Sequence, residues 1–155
     1  MRSRGATALA AVALVFGTAA LALSAWTFWQ SRTPSYDDAA RTAAGDAVCT
    51  AYATVRTGVA TNTHLRSPGG DADVTGVLAT AANARVALLG GGQYLLSTIG
   101  PATPPELASA AEDFAHTLMR FGAAAMAGAP EDDPAQQALE REIDDLNGRV
   151  QELCG

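Results

Sequence analysis

Residues 103–128 read TPPELASAAEDFAHTLMRFGAAAMAG, and the order of apolar side chains within them decides the class of fold. Leu107, Ala111, Phe114, Leu118, Phe121 and Ala125 recur at spacings of four, three, four, three and four. Such spacing draws one stripe along a helix of 3.6 residues per turn, whereas a half-buried strand would alternate every second residue. Thr103-Pro104-Pro105-Glu106 supplies the start: Thr103 as N-cap, proline at the first helical position and Glu106 at the third. Gly128 and Pro130 supply the stop.

The same grammar extends in both directions. Asp133-Pro134-Ala135-Gln136 opens another helix, whose Leu139, Ile143, Leu146, Val150 and Leu153 form its seam. Upstream, Asp71 or Asp73 caps a helix ending near Ile99, where Gly100-Pro101 stops it; Val74, Leu78, Ala81, Leu88, Leu95 and Ile99 share one stripe. A weaker seam of Ala44, Val48, Ala51 and Val55 belongs to a helix that opens at Ser35-Tyr36-Asp37-Asp38, which resembles a capping box, and runs to about His64. Ser67-Pro68-Gly69-Gly70 is the turn after it. Four helices with short connections predict an all-α fold, an antiparallel up-down-up-down four-helix bundle.

The N-terminus reads differently. Ala6 to Trp29 is a run of 24 residues without a charge. As a helix it reaches ~36 Å, enough to cross a ~30 Å hydrocarbon layer. Arg2 and Arg4 precede it, and Trp26, Phe28 and Trp29 cluster at its far end as a membrane-interface belt. The positive-inside rule then predicts a cytoplasmic N-terminus (1–5), a transmembrane signal anchor (6–29), a linker or helical stalk (30–45) and an extracytoplasmic bundle (46–155). The competing reading is a cleaved signal peptide, with Ala20-Leu21-Ala22 or Ala22-Leu23-Ser24 as the cleavage site. The run is longer than a usual signal-peptide core, and its aromatics lie beyond those sites, which favours the anchor.

Two cysteines test the topology. In an up-down-up-down bundle, Cys154 lies twenty residues along from Pro134, and Cys49 fifteen residues back from His64. These descents of ~30 Å and ~22 Å from the same end bring the cysteines to one level within a turn or two. A Cys49–Cys154 disulfide is therefore expected, in the oxidising space outside the membrane.

Composition narrows the possible work. Alanine supplies 35 of 155 residues, and there are ten arginines and no lysine. From Thr33 onward seven arginines face all sixteen carboxylates, a net charge of −9. That field repels phosphate backbones, so nucleic-acid binding is excluded. Gly90-Gly91-Gly92 interrupts the second helix at ~1 kcal/mol per glycine relative to alanine. Close packing explains such a run most simply; with Tyr94 it also forms a candidate partner or ligand surface. No lysine follows and no strand precedes, so it is not a phosphate loop. Tyr52 and Tyr94 are expected at the edge of the core with wet hydroxyls. His64 suits a helix C-terminus, and His116 stands beside the third seam. Neither has partners at metal-ligand spacing, and no nucleophile-base arrangement is apparent, so no metal, cofactor or enzymatic activity is expected. The acids at Asp71, Asp73 and 131–133 read as helix caps.

GGGQYLL, TPPELASAAEDFAHTL and APEDDPAQQALEREIDDLNGRVQELC together resemble a group of alanine-rich, single-pass membrane proteins of mycobacteria and related actinobacteria. The resemblance implies an actinobacterial host and an envelope location, and carries over no active-site residue. The resulting expectation is a non-enzymatic protein of the inner-membrane envelope, held in the bilayer by residues 6–29. It would serve as an accessory or interaction module for a protein partner. The alternative is a small-molecule or lipid-binding bundle, with Gly90–Gly92, Tyr94 and the Phe114/Phe121 stripe lining a pocket.

Overall fold

The computed structural model describes residues 20–28, 35–130 and 132–155, and the regular structure among them is entirely helical. The chain divides into two compact units, Met1–Tyr36 and Asp37–Gly155. In the first, residues 20–28 are helical, and Leu21, Leu23, Trp26 and Phe28 are exposed. The remainder of the predicted span, residues 6–19 and Trp29, lies outside the described residues.

The second unit contains α1 (Asp38–Thr63), α2 (Val74–Thr98), α3 (Pro105–Met126) and α4 (Pro134–Cys154). α1 runs unbroken through residue 45, where Gly45 lies against Pro104 and Leu107. Three of the four starts are capped by aspartate. Asp37 accepts from the Ala40 amide at 2.7 Å, Asp73 from Gly76 at 3.0 Å, and Asp133 from Ala135 at 2.7 Å. Each bond satisfies an amide that the first helical turn leaves without a partner. Asp37, rather than Ser35, caps α1. α3 also begins one residue later than its sequence suggests, with Pro105 at its first position. The Thr103 hydroxyl turns back to accept from the Gly100 amide at 3.0 Å, which closes the preceding turn and removes it as a cap.

α2 packs against α1 and α3, α4 packs against α3, and α1 meets α4 and α3 over shorter stretches. The core draws on all four helices through Val48, Tyr52, Leu95, Phe114, Leu118 and Val150. α3 touches every other helix and buries the widest arc, with Ala110, Ala115 and Thr117 joining its predicted stripe. Burying one leucine or phenylalanine stabilises by roughly 1.5–3 kcal/mol. Many core positions here are alanine, each burying less, so covalent closure matters to this fold. Cys49 and Cys154 are bonded, with Cα atoms 5.6 Å apart, and the described residues hold no free cysteine.

The predicted stripe of α2 is buried only in its second half. Leu88 and Leu95 are covered, whereas Val74 and Leu78 are 67% and 62% exposed. The contacts that bury α2 fall where Leu88, Gly91 and Gly92 meet Gly122, Val55 and Ala115, beyond its first turns. At the other end of the unit Leu153 projects outward from α4, although Val150 before it is sealed. α2 is also the one helix among the described residues long and apolar enough to span a membrane, judged by length and composition alone.

Candidate functional site

Two places in the second unit collect unusual side chains. One is the stapled junction of α1 and α4. Three residues after Cys49, Tyr52 turns into the core, and seven residues before Cys154, Asn147 turns towards it. The Tyr52 hydroxyl lies 2.9 Å from the Asn147 carbonyl oxygen and 2.7 Å from its Oδ1, and donates its proton there. The tyrosine ring stands edge-on to Phe114 with centroids 5.5 Å apart. Burial pushes the Tyr52 phenol above its ordinary range, opposed by the positive charge of Arg56. The expectation of a wet hydroxyl therefore fails for Tyr52, which is buried and bonded. Asn147 carried no signal in the sequence, because it lies off the α4 seam. The packing of α1 against α4, which the disulfide closes, brings it near Tyr52.

The other place is the glycine run on α2, whose three members face different surroundings. A Cβ at Gly92 would stand 2.6 Å from Met119 Cγ and 2.7 Å from the Ala115 carbonyl oxygen, so α3 approaches the α2 backbone directly. At Gly91 a Cβ would come within 3.0 Å of Val55 on α1. At Gly90 it would meet nothing within 4 Å. Tyr94, one turn further on, is 49% exposed. The run thus contains one glycine that packing requires, Gly92, one with little room to spare, Gly91, and one that faces outward, Gly90.

The remaining nominated side chains are dispersed. Phe114 is sealed in the core, Phe121 is partly buried against it, and Tyr94 is exposed. His116 is exposed, and His64 Nδ1 lies 2.7 Å from the Ala60 carbonyl at the end of α1. Among the described residues no three histidine, cysteine or carboxylate side chains form a group that could hold a metal ion. Among the described residues, one open depression runs along the threonines of α1 beside Thr50, Thr54 and Thr57, and another lies at the disulfide end beside Arg41, Pro104 and Leu153. Asp73 also accepts from Ser67 at 2.8 Å, and these bonds, that from Gly76 foremost, hold its carboxyl below the ordinary aspartate value.

Between α3 and α4, Thr117 donates to Glu142 at 3.2 Å, and Arg120 sits 3.7 Å from the same carboxylate. Both side chains of that ion pair are largely exposed, so it contributes little to stability. Gln136, 5% exposed, reaches the Phe121 carbonyl at 3.5 Å through Nε2. These links fasten helices to one another. No protein family, curated protein or solved structure matches this chain.

Proposed function

We propose that this chain is a non-enzymatic cell-envelope protein, anchored by residues 6–29, whose disulfide-closed bundle stands outside the cytoplasmic membrane as an interaction module. The observation that carries this reading is the Cys49–Cys154 bond, because a stable disulfide belongs to an oxidising compartment. The basic flank of Arg2 and Arg4 before an uncharged run supplies the matching topology. Exposed Leu21, Leu23 and Trp26 on helical residues 20–28 suit a segment surrounded by acyl chains and headgroups.

In this reading the bundle runs up-down-up-down. Pairings between sequentially distant residues favour it: Cys49 with Cys154, Tyr52 with Asn147, Leu88 with Gly122, and Thr117 with Glu142. With Gly92 near Ala115 and Gln136 bonded to Phe121, the sequence numbers run in opposite senses between α1 and α4, α2 and α3, and α3 and α4, which supports this reading. The side chains that the sequence nominates for chemistry are spread over different faces, while the links between helices make a firm scaffold. Rigid surface presentation is work such a scaffold can do.

Two measurements test the proposal. A membrane-impermeant thiol reagent, applied to intact cells carrying Ser35→Cys, should label that position, and labelling only after lysis would put the domain inside. Native pull-down of the full chain in mild detergent should retain a protein partner, and recovery of this chain with no other protein and no second copy would refute the interaction role.

A further inference from the structure

The two sulfur atoms of the staple lie where a reagent from solution can reach them. Cys49 and Cys154 are each only partly buried, and both line the open depression at the disulfide end of the bundle. Cys49 also lines the depression along the α1 threonines, so the bond is approached from two sides. Val48, beside Cys49, and Val150, one turn before Cys154, are fully sealed. The bond therefore lies at the rim of the core rather than inside it. Exposure of this kind, together with the charge around it, decides which disulfides exchange with thiols. Here the charge is acidic: Asp38 and Asp46 line the depression with Arg41, and all three are exposed.

The fastening of α4 divides along its length. Its first half is tied to α3, where Thr117 meets Glu142 and Gln136 meets the Phe121 carbonyl. Its second half is tied to α1 by Tyr52 with Asn147 and by the disulfide at its last residue. α1 meets α4 over a shorter stretch than α3 does. Cutting the covalent bond leaves the last turns of α4 joined to α1 by one tyrosine hydroxyl and by apolar packing. A helix end held by so few ties opens before the rest of a domain does. Its opening uncovers Val48 and Val150, which the closed seam hides.

We propose that Cys49–Cys154 is a substrate for thiol–disulfide exchange with a dithiol on a neutral or basic carrier, and that its reduction frees residues 147–154 of α4 from α1. One thiolate of the dithiol attacks a sulfur of the pair and forms a mixed disulfide, while the other cysteine leaves as thiolate and takes up a proton. The second thiol of the dithiol loses its proton and attacks the mixed disulfide, which releases the remaining cysteine as a thiol. Two electrons pass to the chain, and the dithiol departs as a disulfide. The proposal goes beyond the interaction-module reading and does not depend on the anchor, since every group it uses lies in the second unit.

The test uses the full chain in mild detergent, oxidised at the start. Reduction by dithiothreitol is followed by alkylation and mass analysis. The folded protein should be reduced within about ten-fold of the rate of the same chain in denaturing guanidinium. A slower rate, or one that climbs with added denaturant as global unfolding does, would overturn the proposal. Cationic cysteamine should outpace anionic mercaptoethanesulfonate by at least about three-fold at low salt, each relative to its rate on the unfolded chain. Asp46→Asn, at an exposed site, should narrow that difference, and equal relative rates would refute the choice of carrier.

Hydrogen exchange then reads the opening. After reduction and alkylation, amides of residues 147–154 should exchange at least about ten-fold faster, while those of Phe114 to Leu118 stay protected. Unchanged exchange at the end of α4, or loss of protection in all four helices together, would each overturn the opening. These readouts need no membrane, so they are independent of labelling at Ser35→Cys, whose failure refutes the outside placement alone.

Discussion

Tyr52 on α1 and Asn147 on α4, 95 positions apart, are joined through the tyrosine hydroxyl, which reaches both the backbone carbonyl and the side-chain oxygen of the asparagine. This is a polar tie between the two helices that share the disulfide, and it lies at the edge of an otherwise apolar core. Tyr52→Phe keeps the ring against Phe114 and removes only the donor. The variant should lose about 1–2 kcal/mol in urea unfolding, since the Asn147 oxygens are then left without their partner in a part-buried site. An unchanged midpoint would mean that water replaces the hydroxyl at no cost.

The same hydroxyl predicts a pH dependence. Burial raises the folded-state pKa of Tyr52 above its ordinary value of 10.0, so the native state favours the protonated phenol. A group shifted in this sense contributes stability that is present below the unfolded value and is lost as pH rises through the folded one. Unfolding midpoints measured from pH 8 to pH 11 should therefore fall above about pH 10 in the native protein. In Tyr52→Phe this component of the fall should be missing.

Asp73 titrates in the opposite direction. Its bonds from the Gly76 amide and the Ser67 hydroxyl lower its pKa below 3.8. A lowered carboxylate contributes above its unfolded value and ceases to do so as pH falls through the folded one. Hydrogen exchange at the Gly76 amide should accelerate below pH 3.8, with Ala135 at the α4 start as the comparison. Asp73→Asn retains an oxygen acceptor, and in that variant the acid-dependent change at Gly76 should disappear.

The disulfide closes a loop with a sequence separation of 105 residues. In the chain-entropy description a closure of that length contributes about 4–5 kcal/mol, mainly by restricting the unfolded chain. Cys49→Ser with Cys154→Ser should lower stability on that scale, and reduced native protein should unfold at the same denaturant concentration as the double variant. A loss below about 1 kcal/mol would show that the helices are held by packing alone.

How much of this was legible in the sequence depends on the range of each interaction. The helices and most of their stops follow from local chemistry, namely caps, prolines and the 3.6-residue stripe, and the Cys49–Cys154 pairing follows from counting turns. The start of α3 was misread by one residue, because Thr103 had two backbone amides within reach and bonds Gly100 in the turn behind it. Val74 and Leu78 belong to an apolar stripe, yet a stripe does not reveal where neighbouring helices cover it. The roles of Asn147 and Gly90 could not be read, since each depends on what stands opposite in space. For Asn147 that is a tyrosine 95 positions away, and for Gly90 an open side on which an added Cβ would meet no described side chain within 4 Å.

The glycine run permits a comparison within three consecutive residues. Alanine at Gly92 must displace Met119 and press on the Ala115 carbonyl, a backbone atom that cannot swing aside, so α2 and α3 have to separate. Gly92→Ala should cost about 1–3 kcal/mol, in the range of an overpacked core. At Gly91 the opposing atom is a methyl group of Val55, which yields by a small shift, so the strain should offset the gain in helix propensity and leave stability nearly unchanged. At Gly90 no neighbour opposes the added methyl, and alanine removes the glycine's conformational freedom in the unfolded chain. Gly90→Ala should therefore stabilise the fold by roughly 0.5–1 kcal/mol. Thermal melts of the three variants, at a concentration low enough to keep chains apart, should rank Gly90→Ala above Gly91→Ala above Gly92→Ala. Three equal melts would mean that α2 and α3 are not in direct backbone contact, since helix propensity alone treats the positions alike.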